Sequence, residues 1–504
     1  MKRSPAAREG FPRGLVAVAA AVALIASITV LAGSAGATRN LASGRISARL
    51  NEKVFTSNQA VSIKLIYRFS KPSRSFAYRL DFKLGKKWQP VRSAKSTKKR
   101  GYFKGPKTVT VKKLFAGKAI KLGRYRLKLS ADKGNQLLVF KVVKATVVVS
   151  RLSAGSAHTC AVFSAGTVKC WGENSNGQLG YGSTATGSTA VQVKGITDAV
   201  SVDAGTDYTC AVLSTGAIVC WGLNDSGQLG DGVTNHGSTN YPFGLDLSPV
   251  PVAVKGISNA TQVSAGVSWT CALLADGTVK CWGGSNGRSP TRISGISHVA
   301  QISVGDGYAC ALLISGEVKC WGANRDGQLG DGSTKSRTTP VRVIGIRNAI
   351  QVSANVSTPG RGPNVLVLGI PLGGSHVCAL LADGSVRCWG FNGNGEMGVR
   401  RPMSRPSPVK IAGIVNATQV TAGDYHTCAV ISGGTIRCWG SNYYGQLGSG
   451  PSGLDAISRT PVRVAGISNA VSASAGFGHT CAGLAGGAIR CWGRNSEGEV
   501  SGTP

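Results

Sequence analysis

Acidic residues are scarce in this 504-residue chain: 22 Asp and Glu stand against 57 Lys and Arg, for a formal net charge of +35. Charged residues amount to only 16% and aromatic residues to 6%, while hydrophobic residues make up 42% and glycine contributes 70 positions. Apolar content at that level argues against a disordered polycation, and abundant glycine with sparse charge argues against a coiled coil or a helix-rich enzyme. Cysteine is missing from the first 159 residues, so disulfides hold nothing there. No nucleophile elbow, phosphate loop or paired-carboxylate signature occurs, and the sequence predicts neither an enzyme nor a bound cofactor. What remains is the composition of short strands and many turns.

The shortage of acid is uneven. Thr38–Ser150 holds 29 Lys and Arg against 3 Asp and Glu, whereas Arg151–Pro504 holds 24 against 18. Two domains of different character follow. Long apolar runs are also lacking, with one exception: Gly14–Ala32 is uncharged, follows Lys2, Arg3, Arg8 and Arg13, and precedes Ala35-Gly36-Ala37. That order predicts an export signal over residues 1–37 cleaved after Ala37, or a membrane anchor if cleavage fails. Either outcome places the protein at the cell surface or in the secreted fraction.

The cysteines organise the rest. They form seven pairs of identical spacing: Cys160 with Cys170, Cys210 with Cys220, Cys271 with Cys281, Cys310 with Cys320, Cys378 with Cys388, Cys428 with Cys438, and Cys481 with Cys491. Trp-Gly follows the second Cys of every pair, and self-similarity at such a period marks a solenoid or a propeller. Between paired cysteines lies a run such as Ala272–Lys280, with β-formers flanking a glycine-containing turn. The two cysteines then face each other across a hairpin, within disulfide reach at a non-hydrogen-bonded pair. Disulfides fit an oxidising compartment better than metal or free thiols do, and a nine-residue gap is not the close spacing of structural zinc. With a strand before each hairpin and another after it, each repeat reads as a four-stranded meander, and seven meanders suit a closed ring.

The phrase Ala-Gly-x-x-His-Thr-Cys-Ala, followed by Gly-x-Val-x-Cys-Trp-Gly-x-Asn-x-x-Gly-Gln-Leu-Gly over Ala154–Gly180, resembles the repeat of the regulator of chromosome condensation family. The resemblance implies a seven-bladed β-propeller over residues 146–504. Asn174 with Gly177–Gly180 matches its loop motif, as do Asn224, Asn324 and Asn442 with the glycines that follow them. The third repeat departs, since Trp282-Gly283-Gly284-Ser285-Asn286-Gly287 runs almost directly into the fourth strand. The founding nuclear member exchanges nucleotide on a small GTPase and binds chromatin. An exported, cysteine-paired copy is in the wrong compartment for that role, and secreted family members that inhibit β-lactamases are the nearer analogue.

After Cys491 too little chain remains for a fourth strand. Val139–Ala145 either supplies it or ends the preceding domain. That domain, residues 38–145, alternates clearly: Phe76, Tyr78, Leu80, Phe82 and Leu84 share one face, with Arg79 and Lys83 on the other. An immunoglobulin-like β-sandwich is the economical architecture, giving an all-β chain. Its charge, with a cluster at Lys95, Lys98, Lys99 and Arg100, predicts an anionic partner such as a wall polymer, lipid headgroups or a polyanionic sugar. Nucleic acid is disfavoured, because no recognition helix, zinc finger or aromatic stacking motif is present.

His158, His376, His426 and His479 stand two residues before a first Cys, but Tyr208, Trp269 and Tyr308 take that place elsewhere, so the position asks for a flat ring rather than a metal ligand. The Trp of each Cys-Trp-Gly is expected between blades. Lys169, Lys280, Lys319, Arg387, Arg437 and Arg490, one before each second Cys apart from Val219, are expected to lay aliphatic stems along it. Two insertions, Asn235–Pro249 and Asn355–Leu372, emerge on one side of the disc. They make Tyr241, Phe243, Leu366 and Leu368 the candidate contacts for a protein or glycan partner. The function predicted is an exported binding scaffold, the alternatives being a secreted inhibitor of an extracellular enzyme such as a β-lactamase and a propeller enzyme of unknown reaction.

Overall fold

The computed structural model describes seven strands between Ile46 and Val143 by their backbone. It also describes residues 149–501 apart from 234–235, 237–244, 357–365, 368–369, 372–373, 401 and 454–455. Two compact units result, one of Val30–Val147 and one that contains Val148–Pro504. The first 45 residues, including the expected export signal, lie outside the described residues, as do Lys98, Lys99 and Arg100.

In the first unit, β1 (Ile46–Arg49) pairs with β3 (Ile66–Phe69). A five-stranded sheet runs β2 (Val54–Thr56), β7 (Gly134–Val143), β6 (Gly123–Ala131), β4 (Ser75–Leu84), β5 (Lys87–Thr97). Alternation sets the register: Tyr78 lies opposite Leu129 and Leu80 opposite Leu127, while Arg79 lies opposite Lys128. Lys95 falls on the edge strand β5. Because β7 pairs with both β6 and β2, the stretch from Val139 completes this sheet and not the last blade of the ring.

The second unit is a seven-bladed propeller. Blade 1 is a meander of Val149–Ala154, His158–Phe163, Val168–Gly172 and Gly187–Gln192, its first strand innermost. Blades 2 to 6 repeat it, although blade 3 has only Thr291–Arg292 as its fourth strand. Blade 7 has three strands among the described residues: Ala470–Ala475, His479–Leu484 and Ile489–Gly493.

Every cysteine pair is a disulfide within a single blade, as the spacing predicts. Cys160 is bonded to Cys170 in blade 1, Cys210 to Cys220 in blade 2, Cys271 to Cys281 in blade 3 and Cys310 to Cys320 in blade 4. Cys378 is bonded to Cys388, Cys428 to Cys438 and Cys481 to Cys491 in the last three. The partners face each other in register across the second and third strands, with Cα atoms 4.0 to 4.1 Å apart. That separation belongs to the close, non-hydrogen-bonded pair of an antiparallel ladder. The glycine of each Cys-Trp-Gly also has a cause: Gly172 sits at φ 106°, where the third strand bulges, and a Cβ there would come 2.5 Å from the Ala157 carbonyl oxygen.

Repeated bonds join the blades. The Trp221 indole N–H donates to the Gln178 carbonyl of the preceding blade at 2.8 Å, and the Thr209 hydroxyl donates to the same oxygen at 3.0 Å. His158 Nε2 lies 2.9 Å from that hydroxyl. Since the hydroxyl proton is committed to Gln178, the imidazole donates from Nε2, which leaves Nδ1 the bare acceptor. His376, His426 and His479 repeat the contact with Thr427, Thr480 and Thr159. Burial holds all four imidazoles neutral, with pKa lowered to about 3. The flat ring at this position is thus a seam bond as well as packing.

The same bonds close the ring without a borrowed strand. Trp171 Nε1 donates to the Glu499 carbonyl at 3.0 Å, Thr159 meets His479, and the Ala154 N–H donates to Ser474 Oγ at 2.9 Å. Inner strands are bridged alike elsewhere: Gln262 donates to the Ile302 carbonyl and accepts from the Ile302 N–H, and Gln301, Gln351 and Gln419 do so at the next three seams.

Candidate protein-binding face

In a meander whose first strand is innermost, the first-to-second and third-to-fourth connections share one side of the disc, called here the loop face. The second-to-third and blade-to-blade turns share the other, the turn face. Both insertions leave from the loop face. Of the four residues expected to contact a partner, Tyr241, Phe243 and Leu368 lie outside the described residues. Leu366 falls in a short strand, Leu366–Val367, paired with Ile370–Pro371.

At the base of the blade 2 insertion, His236 Nδ1 lies 2.7 Å from Asp246 Oδ1 and its Nε2 lies 2.7 Å from Asp231 Oδ2. Arg288 of blade 3 reaches Asp246 Oδ2 at 3.3 Å. Burial opposes the charged imidazole, but the hydrogen bonds it donates to Asp246 and Asp231 outweigh that, and His236 is held above its usual value.

The loops rest on their motif. Asn174 accepts from the Leu179 N–H and donates to the Ser183 and Ala185 carbonyls, which pins the loop across its own ends. Gly180 follows at φ 70°, and a Cβ there would come 2.6 Å from Trp221 Nε1, so glycine is the residue that lets the loop reach the next blade. On this scaffold two loops depart toward aromatic residues. Tyr443 and Tyr444 occupy places that Ser175-Asn176 and Arg325-Asp326 fill in blades 1 and 4. Their rings meet edge to face at 4.5 Å. Tyr444 approaches Phe477 of blade 7 at 6.2 Å, Phe477 meets Tyr425 at 5.0 Å, and the Arg494 guanidinium lies 5.5 Å over Phe477. Tyr425 is buried while Tyr444 is 37% exposed, so the cluster is anchored at one end and open at the other.

Carboxylates share the face. Burial, followed by the charge of Glu173, raises Asp207 to about 6. Asp306 is raised by burial and then by Asp326, and Asp326, itself raised by burial, accepts the Ser375 N–H at 3.0 Å. Among the described residues no three His, Cys, Asp or Glu side chains are placed to hold a metal ion. The aromatic cluster has a sequence signal of its own: aligned against the other repeats, Tyr443, Tyr444 and Phe477 are outliers at loop positions.

The basic residues before each second Cys lie elsewhere, near the turn face. They are half-buried or exposed, and Lys280 and Lys319 donate to the Gly256 and Gly295 carbonyls of neighbouring turns at 3.3 and 3.4 Å. Lys169 places its ammonium 5.6 Å over Phe163. In these three residues the ammonium groups are held by turn carbonyls and a neighbouring ring.

Two models of the regulator of chromosome condensation (RCC1) repeat match the propeller. One matches residues 149–178, 199–228, 260–288, 299–328, 417–446 and 470–499, and the other matches 165–212, 215–273, 315–356, 383–430 and 434–482. Among solved structures, Prp20p of Saccharomyces cerevisiae, described for its binding to Gsp1p and histones, is similar at 21% identity and a TM-score of 0.54, over 69% of this chain and 83% of that one. Human WBSCR16 is similar at 17% identity and a TM-score of 0.53, over 70% of this chain and 91% of the other. Likeness at these identities establishes the fold.

Proposed function

The chain belongs to the regulator of chromosome condensation repeat family, and from that premise we propose that it is an exported, non-enzymatic binding scaffold whose propeller takes a protein partner on its loop face. The observation that carries this is the cluster of Tyr425, Tyr443, Tyr444 and Phe477, anchored by burial, open at Tyr444 and flanked by Arg494. Aromatic and arginine side chains of this kind dominate binding energy at protein interfaces. The two insertions on the same side give a partner further surface. Seven disulfides support an oxidising compartment. Residues 38–145, proposed as an immunoglobulin-like domain, attach the protein to an anionic envelope polymer through their excess of Lys and Arg.

Affinity capture from the secreted and envelope fractions tests the face. A partner recovered by the native protein and lost by Tyr444→Ser/Phe477→Ser, at unchanged thermal stability, is the expected result. A partner that instead protects the Asp276-Gly277 and Asp383-Gly384 turns from hydrogen exchange places binding on the other side. For the basic domain, affinity for an anionic polymer should fall steeply between 0.1 and 1 M salt, as the screening length shrinks from about 10 to 3 Å; unchanged affinity overturns the charge-driven attachment.

A further inference from the structure

The turn face is the electrostatic opposite of the loop face. On four consecutive blades the third and fourth strands place cations directly opposite one another: Lys280 with Arg292, Lys319 with Arg342, Arg387 with Lys410 and Arg437 with Arg463. Like charges so placed repel and destabilise a ladder unless something compensates. On blades 3 to 5 an acid in the adjoining turn does so. Arg342 pairs with Glu317 at 2.6 Å. Asp276 and Asp383 are each held below the usual carboxylate range, first by hydrogen bonds from Thr278 and Ser385 and in lesser part by Arg292 and Lys410.

Blade 6 breaks the pattern. Its turn carries Gly433-Gly434 in place of an acid, and among the described residues every acid after Asp383 falls in a loop-face connection: Glu396, Asp424, Glu497 and Glu499. Arg490 of blade 7 adds a third cation by donating to the Gly466 carbonyl at 3.3 Å, while Arg437 donates to the Pro461 carbonyl at 3.3 Å. A shallow cavity of about 470 Å³ opens at the same seam, lined by Arg463–Ser468. Its Ala465 stands where other turns place Lys194, Lys255 or Ile344. Ser294 and Ala412 are comparably small, but those blades carry the turn acids Asp276 and Asp383. Among the described residues, only the seam of blades 6 and 7 combines a small residue, three guanidiniums and no turn acid.

We infer that Arg437, Arg463 and Arg490 form an oxyanion subsite on the turn face, taking a phosphate or sulfate ester carried by a surface polymer. Guanidinium forks match tetrahedral oxyanions better than ammonium groups do. Two of the three already spend one N–H on a backbone carbonyl, Arg437 on Pro461 of the fourth strand and Arg490 on Gly466 of the turn, which holds the side chain and leaves the remaining donors for the ligand. The subsite does not depend on the proposed partner of the loop face or on the basic domain.

Arginine modification by phenylglyoxal, mapped by peptide mass on the full native chain, tests it site by site. Inorganic pyrophosphate or inorganic sulfate should slow modification of Arg437, Arg463 and Arg490 about tenfold and that of Arg292, Arg342 and Arg387 less than twofold, and the more protective anion identifies the ester. Equal protection at all six positions, or none, overturns the subsite. A second comparison sets Arg437→Gln/Arg463→Gln/Arg490→Gln against Lys280→Gln/Lys319→Gln/Arg342→Gln, which remove the same charge. Poly(glycerol phosphate) or a sulfated oligosaccharide should bind the first variant about tenfold more weakly than the second; equal loss in both means a diffuse field without a site.

Discussion

One seam of the propeller differs from the other six. At six seams the Trp of a blade donates its indole N–H to a carbonyl of the preceding loop: Gln178, Gln228, Gln328, Glu396, Gln446 or Glu499. Blade 3 has no such loop, only the short turn Gly284–Asn286, and Trp321 of blade 4 is 2% exposed with its indole N–H unpartnered among the described residues. The position that holds Thr159, Thr209, Thr270, Thr427 or Thr480 in five blades is Ala309 here, and Val377 in blade 5, where Trp389 keeps its bond to the Gln328 carbonyl. Where the acceptor is missing, so is the hydroxyl that would have needed it, because a second unmatched donor would cost about 1 to 3 kcal/mol. Trp269 packs into this seam with Ile293, Leu313 and Ala309, so apolar contact stands in for the indole bond, while Gln262 and Ser264 still bond the inner strand of blade 4. A ring therefore tolerates one joint without the indole bond, held by apolar packing and by the bonds between inner strands.

Acid should separate the two kinds of joint most strongly. The four seam histidines titrate near 3 when folded and near 6.5 when unfolded, so the unfolded chain takes up protons first as the pH falls. Stability is lost below about pH 6.5. Asp203, Asp207 and Glu396, raised chiefly by burial to about 6, about 6 and about 7, work the other way, restoring stability as the pH falls from 7 to 4. The net loss is steepest below pH 4, on the order of several kcal/mol by pH 3. Urea midpoints at pH 7, 5 and 3.5 check the slope. Hydrogen exchange at pH 4 should show strands beside His376 and His426 opening before those beside Trp321; simultaneous opening would show that the histidines do not govern the joints.

Glu396 offers a smaller test within the bonded class. It takes the place of Gln178, accepts from the Asn394 N–H at 2.9 Å and from Asn394 Nδ2 at 2.8 Å, and its own carbonyl serves Trp439 and Thr427. Burial raises its carboxyl to about 7, so the stability present below pH 4.5 is lost as the pH rises through 7. Glu396→Gln should stabilise by about 1 to 2 kcal/mol at pH 8 and by little below pH 5. A gain independent of pH would mean that charge burial is not the cause.

The ring was legible because its repeat is covalent in pattern: a Cys pair ten apart, with Gly after Trp, can be counted without knowing any contact. The departure of blade 3 was visible in the same count. Its consequence was not, since the partner of Trp321 would have come from another blade and only the closed ring shows which carbonyl each indole meets. Ring closure was ambiguous for a related reason. Val139–Ala145 has the pattern of a strand, and pattern alone does not say which sheet a strand joins; pairing of β7 with β6 decides it. The basic stretch was legible as sheet from Phe76 to Leu84, because apolar side chains there alternate with charged ones, and that span lies within β4.

The smallest effect isolates the indole bond itself. Trp221→Phe and Trp321→Phe remove similar volumes from similar surroundings, each residue packing on the blade before it. Only Trp221 loses a hydrogen bond; the Gln178 carbonyl it leaves still accepts from Thr209, so the loss stays well short of a fully orphaned group. Trp321→Phe, in contrast, removes a buried donor that has no acceptor among the described residues. Trp221→Phe should therefore cost about 1 kcal/mol more than Trp321→Phe, measured as the difference in urea-unfolding free energy at pH 7 with disulfides intact. Equal costs would mean that packing alone sets the worth of these tryptophans, and a larger cost at Trp321 would mean that its indole finds an acceptor in solution.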